Sequence, residues 1–358
     1  MNSLLKISLT QFRNYTFASF DFPQQITCIT GANGSGKTNL LDAVYYLCYT
    51  KSYFTSQQQH TAQTGTDGFR VEGEFAHTGK KELITCKWKG GKKEIAADGA
   101  EYERPADHIG KYAAVMIAPD DMELINEGSE LRRKWIDGIL GQTDRQYLDY
   151  LLQYGRVLLQ RNGWLKMEAL QPTSNSHALD YYNHQLAQCG EYIYVRRKEF
   201  LNQFMPLLSG YYSQLSSGKE QVNIYHSSDL HEYPLDYWLK VNLQQDLRMQ
   251  RTLRGTHKDD LQFTLSGMPL KQYGSQGQKK SFLFALKLAQ YAYLSKHMGH
   301  LPILLLDDIF EKLDQSRMEA LLRIIQGNDF GQVILTDTHA DRVQKAFGEE
   351  VTIGFIRL

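Results

Sequence analysis

One octapeptide constrains this chain more than any other feature. Gly31-Ala-Asn-Gly-Ser-Gly36-Lys37-Thr38 fits the pattern GxxxxGK[ST] at every fixed position. Glycines let the backbone turn tightly, so that successive N–H groups converge on phosphate oxygens. Lysine supplies a point charge for the β/γ-phosphates, and the hydroxyl beside it suits Mg²⁺. A helix opening at the loop adds the positive end of its dipole. The flanks agree with this reading: Gln25–Thr30 reads as a short strand, and Leu40, Leu41, Val44 and Leu47 give residues 36–49 a helical period. Gly31, Ala32, Asn33, Gly34, Ser35, Gly36, Lys37, Thr38 and the adjoining Asn39 are the candidate nucleotide-binding residues, with ATP and Mg²⁺ the expected cofactors.

A second signal belongs with the first. Leu304-Leu-Leu306-Asp307-Asp308 is an apolar strand ending in two acids. Asp307 is placed to hold Mg²⁺ with Thr38, directly or through water. Asp308 is placed to accept a hydrogen bond or a proton from the attacking water.

Composition narrows the class further. The 358 residues correspond to about two domains at ~150 residues each. An apolar fraction of 42% marks a globular chain. Lys+Arg and Asp+Glu are 40 each, which excludes nucleic-acid binding by bulk positive charge and leaves room only for local basic patches. Cys28, Cys48, Cys86 and Cys189 form no CxxC pair, which argues against a zinc ribbon and for a reducing compartment. The opening residues lack the apolar core of a secretory signal, and Leu301–Leu306 is far short of the ~20 residues of a bilayer span. A soluble, cytoplasmic protein without a membrane partner is expected.

The chain divides into three expected segments. Residues 1–120 read as strands with one helix, including a hairpin at Gly90-Gly91, where Ile84, Cys86 and Trp88 alternate with polar residues. Ala113–Ala118 is a candidate buried strand. Residues 121–252 read as a mainly helical arm. Leu148, Leu151, Leu152, Leu158 and Leu159 keep helical spacing, and a longer run from Leu179 to Leu215 predicts a helix of about 40 residues, ~60 Å at 1.5 Å per residue. Pro206 predicts a kink or break near its end, and Gln171–Ser176 the turn before it. An ordinary helical subdomain fits the same pattern. Residues 253–358 return to strand and helix, with strands at Leu261–Leu265, Leu301–Leu306 and Gln332–Thr336 and a helix over 276–296.

A third motif carries a family resemblance. Gly274-Ser275-Gln276-Gly277-Gln278-Lys-Lys-Ser281, just upstream of the acidic strand, resembles the signature of ABC ATPases. Glu311–Asp314 resembles the D-loop, and His339 sits where that class carries its switch histidine. No glutamine can be singled out as a Q-loop residue among Gln57, Gln58, Gln59 and Gln63. Lys37 and Asp307 are 307 − 37 = 270 positions apart, longer than in transporter ATPases and far shorter than in proteins with full coiled-coil arms. The stretches Leu9–Tyr15 (LTQFRNY), Lys51–Thr55 (KSYFT), Ala118–Leu124 with Glu130–Arg133, and Arg254–Leu261 (RGTHKDDL) are similar to RecF-type proteins. Phe54, Thr256 and Lys258 stand where that family more often has Arg, Pro and Arg. The chain is identified as a member of the RecF family, within the ABC-type, SMC-like P-loop ATPases.

The resemblance implies an α/β ATPase head built from both chain ends (1–120 and 253–358) with an inserted helical arm domain (121–252). It implies a slow, DNA-stimulated, Mg²⁺-dependent ATPase of DNA repair, replication and the SOS response. Such a protein dimerises on ATP, binds single-stranded and gapped or junction duplex DNA, and acts with RecO and RecR in loading RecA at the nucleoid. In that scheme Ser275, Gly277 and Gln278 act in trans on the partner's nucleotide, and His339 contacts the γ-phosphate. Lys37, Ser275 and Asp308 are the expected catalytic residues, and Arg13 lies near the nucleotide in related heads. Another SMC-like DNA clamp and a transporter ATPase remain the alternatives. The candidate DNA contacts are Lys80, Lys81, Lys87, Lys89, Lys92 and Lys93 at the hairpin and Arg196, Arg197 and Lys198 on the arm, with solvated surface charge the competing reading. Arg132 and Arg133 are expected to pair with nearby acids.

Overall fold

A strand from near the N-terminus lies between two strands from the C-terminal end of the chain. The computed structural model describes residues 2–77, 79–171, 176–216, 220–311 and 314–358. Its five-stranded parallel sheet has the order β14 (Ile353–Arg357), β3 (Ile26–Thr30), β13 (Val333–Asp337), β12 (Ile303–Leu306), β8 (Ala114–Ile117). Ile26 opposes both Val333 and Ile353. Every residue of β3, β8, β12 and β13 is buried, since a parallel sheet is covered on both faces; β8 and β12 are unbroken apolar runs, while β3 and β13 also bury Thr27, Thr30, Thr336 and Asp337.

A six-stranded antiparallel sheet follows the order β2 (Tyr15–Asp21), β1 (Ser3–Phe12), β4 (Gly68–His77), β5 (Lys80–Lys89), β6 (Lys92–Ala97), β7 (Ala100–Glu101). Leu4, Ile7, Leu9 and Phe12 of β1 face inward, with a register shift between Leu4 and Lys6. Gly90 and Gly91 close the β5–β6 hairpin, both at positive φ (54° and 83°), as a two-residue turn of the mirror-image type requires. Helix α1 (Lys37–Tyr49) packs against strands of both sheets. That position explains why Leu40, Leu41, Ala43, Val44, Tyr46 and Leu47 are buried nearly all round the helix.

The chain forms two compact units. The first comprises Met1–Met122, Gly210–Lys219 and Gln276–Leu358, and the second Glu123–Ser209 and Glu220–Ser275. The stretch 253–275, expected with the C-terminal segment, lies in the second. The remaining helices are α2 (Glu123–Asn126), α3 (Ser129–Thr143), α4 (Arg145–Leu170), α5 (Ser176–Ser216), α6 (Leu235–Val241), α7 (Leu243–Met249), α8 (Leu270–Tyr273), α9 (Gln276–Met298), α10 (Gln315–Ile325) and α11 (Ala340–Phe347). Helix α5 has 41 residues, as its long apolar period predicts, and it continues through Pro206 instead of breaking there. Residues 172–175 of the expected turn lie outside the described residues.

The second unit is not purely helical. It holds a three-stranded antiparallel sheet, β11 (Met268–Pro269), β10 (Asp260–Leu265) and β9 (Val222–Ser227). Buried charge organises this unit. The Arg197 side chain, 3% exposed, donates to Asp137, to Asp259 Oδ2 at 2.8 Å and to the Thr256 carbonyl at 2.8 Å. Burial works against the Asp259 charge, but the His226 hydrogen bond and the Arg197 cation outweigh it and hold the carboxyl below its usual range. Arg161, fully buried, pairs with Asp246 at 2.7 Å. Removing one partner from such a pair typically costs about 3–5 kcal/mol, because the other charge stays buried.

His257 lies in the same unit. Its Nδ1 accepts from the Tyr154 hydroxyl at 2.8 Å and its Nε2–H donates to the Thr252 carbonyl at 3.1 Å, the arrangement of a neutral ring. Burial pushes its pKa down to about 4. The unfolded chain takes up this proton near the ordinary value of about 6.5, and the folded chain only near 4. The neutral ring therefore contributes its full stability above the unfolded value and loses it as pH falls through that window. Unfolding free energy measured by denaturant titration should drop by up to about 3 kcal/mol on this account across the window, and His257→Gln should lose that part of the slope.

Candidate phosphate-binding and magnesium site

The carboxyl ends of β3, β12 and β13 emerge at one edge of the parallel sheet, where α/β folds place their ligands. β3 runs into the loop 31–36, and α1 begins at Lys37. Gly34 and Gly36 have φ of 83° and 109°, values that favour glycine. A Cβ on Gly36 would come within 2.6 Å of Asn14 Nδ2, and one on Gly31 within 2.7 Å of Ser35 Oγ.

Lys37 Nζ donates to the carbonyls of Gly31 at 2.7 Å and Ala32 at 3.0 Å. Two of its three N–H groups thus hold the loop and the third is left for an anion. Ser35 Oγ is buried without a hydrogen-bond partner among the described residues, an unsatisfied hydroxyl that a phosphate oxygen would complete.

Asp307, which follows β12, is 5% exposed. It accepts from Thr38 Oγ1 at 3.0 Å on both oxygens and from Thr336 Oγ1 at 2.8 Å. Burial raises its pKa, against the pull of these hydrogen bonds. A buried carboxyl beside a threonine hydroxyl is a hard-oxygen pair suited to Mg²⁺, whose charge would favour the ionised form. Asp308 is half-buried with φ of 50°, and its N–H donates to Thr336 Oγ1 at 2.9 Å. A non-glycine residue in the left-handed region is uncommon and concentrates at functional sites.

His339 N-caps α11, with its N–H on Asp337 Oδ1 at 2.6 Å and its Nδ1 on the Thr338 hydroxyl at 2.7 Å. With Gly31, Ala32, Asp341 and Arg357 it lines a groove of about 420 Å³. The fold therefore brings Gly31, Ala32, Thr38, Asp307, Asp308 and His339 to one edge. Asn33 and Gly34 are exposed in the same loop.

Ser275 immediately precedes α9, and Gly277 and Gln278 lie in its first turn. Gly277 faces Arg317, whose Nη1 a Cβ would approach within 2.7 Å. Ser275 is exposed and is the last residue of the second unit, while Gly277 and Gln278 belong to the first. Of the stretch Glu311–Asp314, Lys312 and Leu313 lie outside the described residues. Asp314 caps α10 by accepting from the Arg317 N–H at 3.1 Å.

Other side chains singled out in the sequence have these partners. Asn39 Nδ2 donates to Asn14 Oδ1 at 2.8 Å. Arg13 is locked on the buried Asp42 at 2.9 Å and on Ser52. Gln58 accepts from the Tyr46 hydroxyl, and Gln63 donates to Thr16. Arg197 is consumed in the second unit's core and offers no cation to DNA, while the partly exposed Arg196 pairs with Asp144 and Glu199. Arg132 pairs with Asp260, and Arg133 donates to the Asp259 carbonyl. At the Gly90-Gly91 turn, Lys92 is paired with Glu94, Lys93 donates to the Thr50 carbonyl, and Lys87 and Lys89 are exposed with no ion pair among the described residues. Lys80 and Lys81, expected at the same turn, instead begin β5 at its opposite end, where Lys81 pairs with Glu74 and Lys80 is exposed.

Two residues whose role sequence reasoning did not single out support the loop. Asn14 Nδ2 donates to the Ser35 carbonyl at 3.2 Å and the Tyr15 hydroxyl to the Gly36 carbonyl at 3.1 Å. Burial raises the Tyr15 pKa to about 12, so the phenol keeps its proton. Their only signal is the tight FRNY turn between β1 and β2, where Arg13 has φ of 54°. Asn14→Ala removes a clamp worth about 1 kcal/mol per hydrogen bond and should weaken ATP binding by roughly fivefold to tenfold with the fold retained. Titration with a fluorescent ATP analogue, alongside circular dichroism, checks this.

Comparison with known proteins agrees with the geometry. The family model described as RecF/RecN/SMC N terminal domain matches residues 3–356. The chain is 42% identical over 342 residues to the DNA replication and repair protein RecF of Flavobacterium johnsoniae, covering 95% of each. It is 40% identical over 337 residues to the RecF of Cytophaga hutchinsonii, covering 94% of this chain and 89% of the relative. Among solved structures it is similar to the recombination mediator protein RecF of the RecFOR pathway with ATP, at TM-score 0.89 and 28% identity over 96% of this chain and 94% of that one. The Smc head domain of Pyrococcus furiosus shares the fold at TM-score 0.53 and 17% identity, covering 97% and 91%.

Proposed function

The chain belongs to the RecF family of DNA replication and repair proteins, and on that premise we propose that it is an ATP-gated DNA-binding ATPase of recombinational repair. The observation that carries this reading is the meeting of Thr38 with Asp307 across 269 residues, next to a glycine-rich loop with an unpartnered hydroxyl. Backbone N–H groups of Gly31–Gly36 and the Lys37 ammonium bind the β- and γ-phosphates of ATP. Thr38 and Asp307 hold Mg²⁺, which when bound neutralises charge on the transferring phosphoryl group. Asp308, held by its N–H on Thr336, orients the attacking water. His339 faces the terminal phosphate from across the groove.

In this reading the first unit is the nucleotide-binding head and the second is the arm. Ser275, Gly277 and Gln278 act in trans, capping the nucleotide of a second copy, so that ATP binding drives dimerisation and slow, DNA-stimulated hydrolysis reverses it. The DNA is single-stranded or gapped duplex, contacted through phosphates without base readout. With zero net charge, this contact depends on local cations, of which the exposed Lys87 and Lys89 beside the Gly90-Gly91 turn are the best placed. RecO, RecR and RecA are the proposed partners. No described helix is long and apolar enough to cross a membrane, and a cytoplasmic, nucleoid-associated location follows from the proposed work on DNA.

Fluorescence anisotropy of a gapped DNA, with and without ATP–Mg²⁺, tests the whole reading. Binding should strengthen with ATP in the wild type and not in Lys37→Met. DNA binding indifferent to ATP in both would overturn it. Sedimentation velocity separates the two halves of the site: Lys37→Met should lose ATP-dependent dimerisation through lost nucleotide binding, and Ser275→Arg should lose it with nucleotide binding intact.

A further inference from the structure

Lys287 is a buried cation that the phosphate chemistry does not use. It lies within α9, and its side chain and that of Asp121 are each 4% exposed. Nζ donates to Asp121 Oδ1 and to the Tyr53 hydroxyl oxygen, both at 2.8 Å. The Tyr53 hydroxyl in turn donates to Asp121. Burial and the Asp121 carboxylate push the Tyr53 pKa well up, so the phenol stays a donor. The other Asp121 oxygen accepts the Ala118 N–H at 2.7 Å, just past β8. Tyr53 also donates its own backbone N–H to Asp42 Oδ1 at 2.7 Å. Asp42 sits fully buried on α1 and is gripped by Arg13 and Ser52. A continuous polar chain thus runs from α1, the helix that opens at the phosphate loop, through Tyr53 to α9, the helix that opens at Gln276.

Stability alone is a poor reason for this arrangement, because apolar residues of similar volume usually serve a core as well as a buried ion pair does. The packing beside it is also incomplete. A cavity of about 40 Å³ separates α9 from the turn after β8, lined by Ala118, Pro119, Lys280, Leu283, Phe284 and Asp307. The Lys287–Asp121 pair is thus the polar link that ties α9 to this turn beside a small void lined by the acidic strand's Asp307. We propose that Lys287 is a positioning residue that couples the phosphate loop, through Tyr53 and Asp42, to the placement of α9 and hence to ATP-dependent association of two copies. The inference rests on the nucleotide-sandwich reading above.

The test uses the full chain carrying Lys287→Met with Asp121→Asn, which removes both buried charges and keeps an acceptor for the Ala118 N–H. Thermal unfolding checks the fold, a fluorescent ATP analogue reads the monomer's affinity, and sedimentation velocity reads association with ATP–Mg²⁺. Expected are cooperative unfolding, ATP affinity within about twofold of wild type, and association weakened about tenfold. Tyr53→Phe cuts the same chain while leaving the charges paired, and should weaken association about threefold at unchanged ATP affinity. Wild-type association in both variants, or a loss that merely tracks lost ATP affinity, overturns the coupling. A wild type that binds ATP without associating overturns the sandwich reading itself, and the coupling with it.

Discussion

The parallel pairing of β3 with β13 and β14 is the constraint on which the rest of this molecule depends. Strands from near the two ends of the chain share one sheet, and in a parallel sheet all carboxyl ends reach the same edge. Thr30, Asp307 and Asp337 emerge there together, and each begins a functional loop or helix. The entropy of closing so long a loop grows only logarithmically with length. Burial of every residue in β3, β8, β12 and β13 offsets it. Helix α1 then has two sheets to pack against, which fixes where Lys37 and Thr38 point.

Charge is distributed by function of place. In the second unit Arg132, Arg161 and Arg197 are turned inward on Asp260, Asp246, Asp137 and Asp259. The Arg254–Leu261 stretch therefore works as an internal fastener: Thr256 and Asp259 receive Arg197, Asp260 receives Arg132, and His257 stays neutral between Tyr154 and Thr252. In the first unit the buried Asp42, Asp121 and Lys287 are linked through Tyr53, between α1 and α9.

Local features were legible in the sequence. The phosphate loop, the Gly90-Gly91 hairpin and the 41-residue α5 all declare themselves through short-range patterns of glycine or apolar period. Strand β9 did not: Val222 and Ile224 alternate over too short a run, in a segment dominated by helical spacing, and only pairing with β10 makes it a strand. Pro206 signalled a kink or break; the helix does not break there, because α5 gains enough from packing along its length to carry one missing hydrogen bond. Arg197 looked like an exposed basic run with Arg196 and Lys198, since a charge run gives no hint of which member faces the core. Asn14 and Tyr15 carried no chemical motif of their own, and their hold on Ser35 and Gly36 exists only once β1, β2 and α1 are assembled.

By itself the sequence determined the kind of chemistry, because a loop that wraps phosphate needs its glycines, lysine and threonine contiguous, and contiguity is what a sequence records. It also determined the long helix, whose period is set by 3.6 residues per turn. It also pointed to Asp307 as the acid that meets Thr38. Tertiary structure alone decided which arginines are spent inside and that Tyr53 bridges Asp42 to Lys287. Those pairings join residues tens to hundreds of positions apart and are made by the packing of whole helices and strands against one another, a selection that no local pattern encodes.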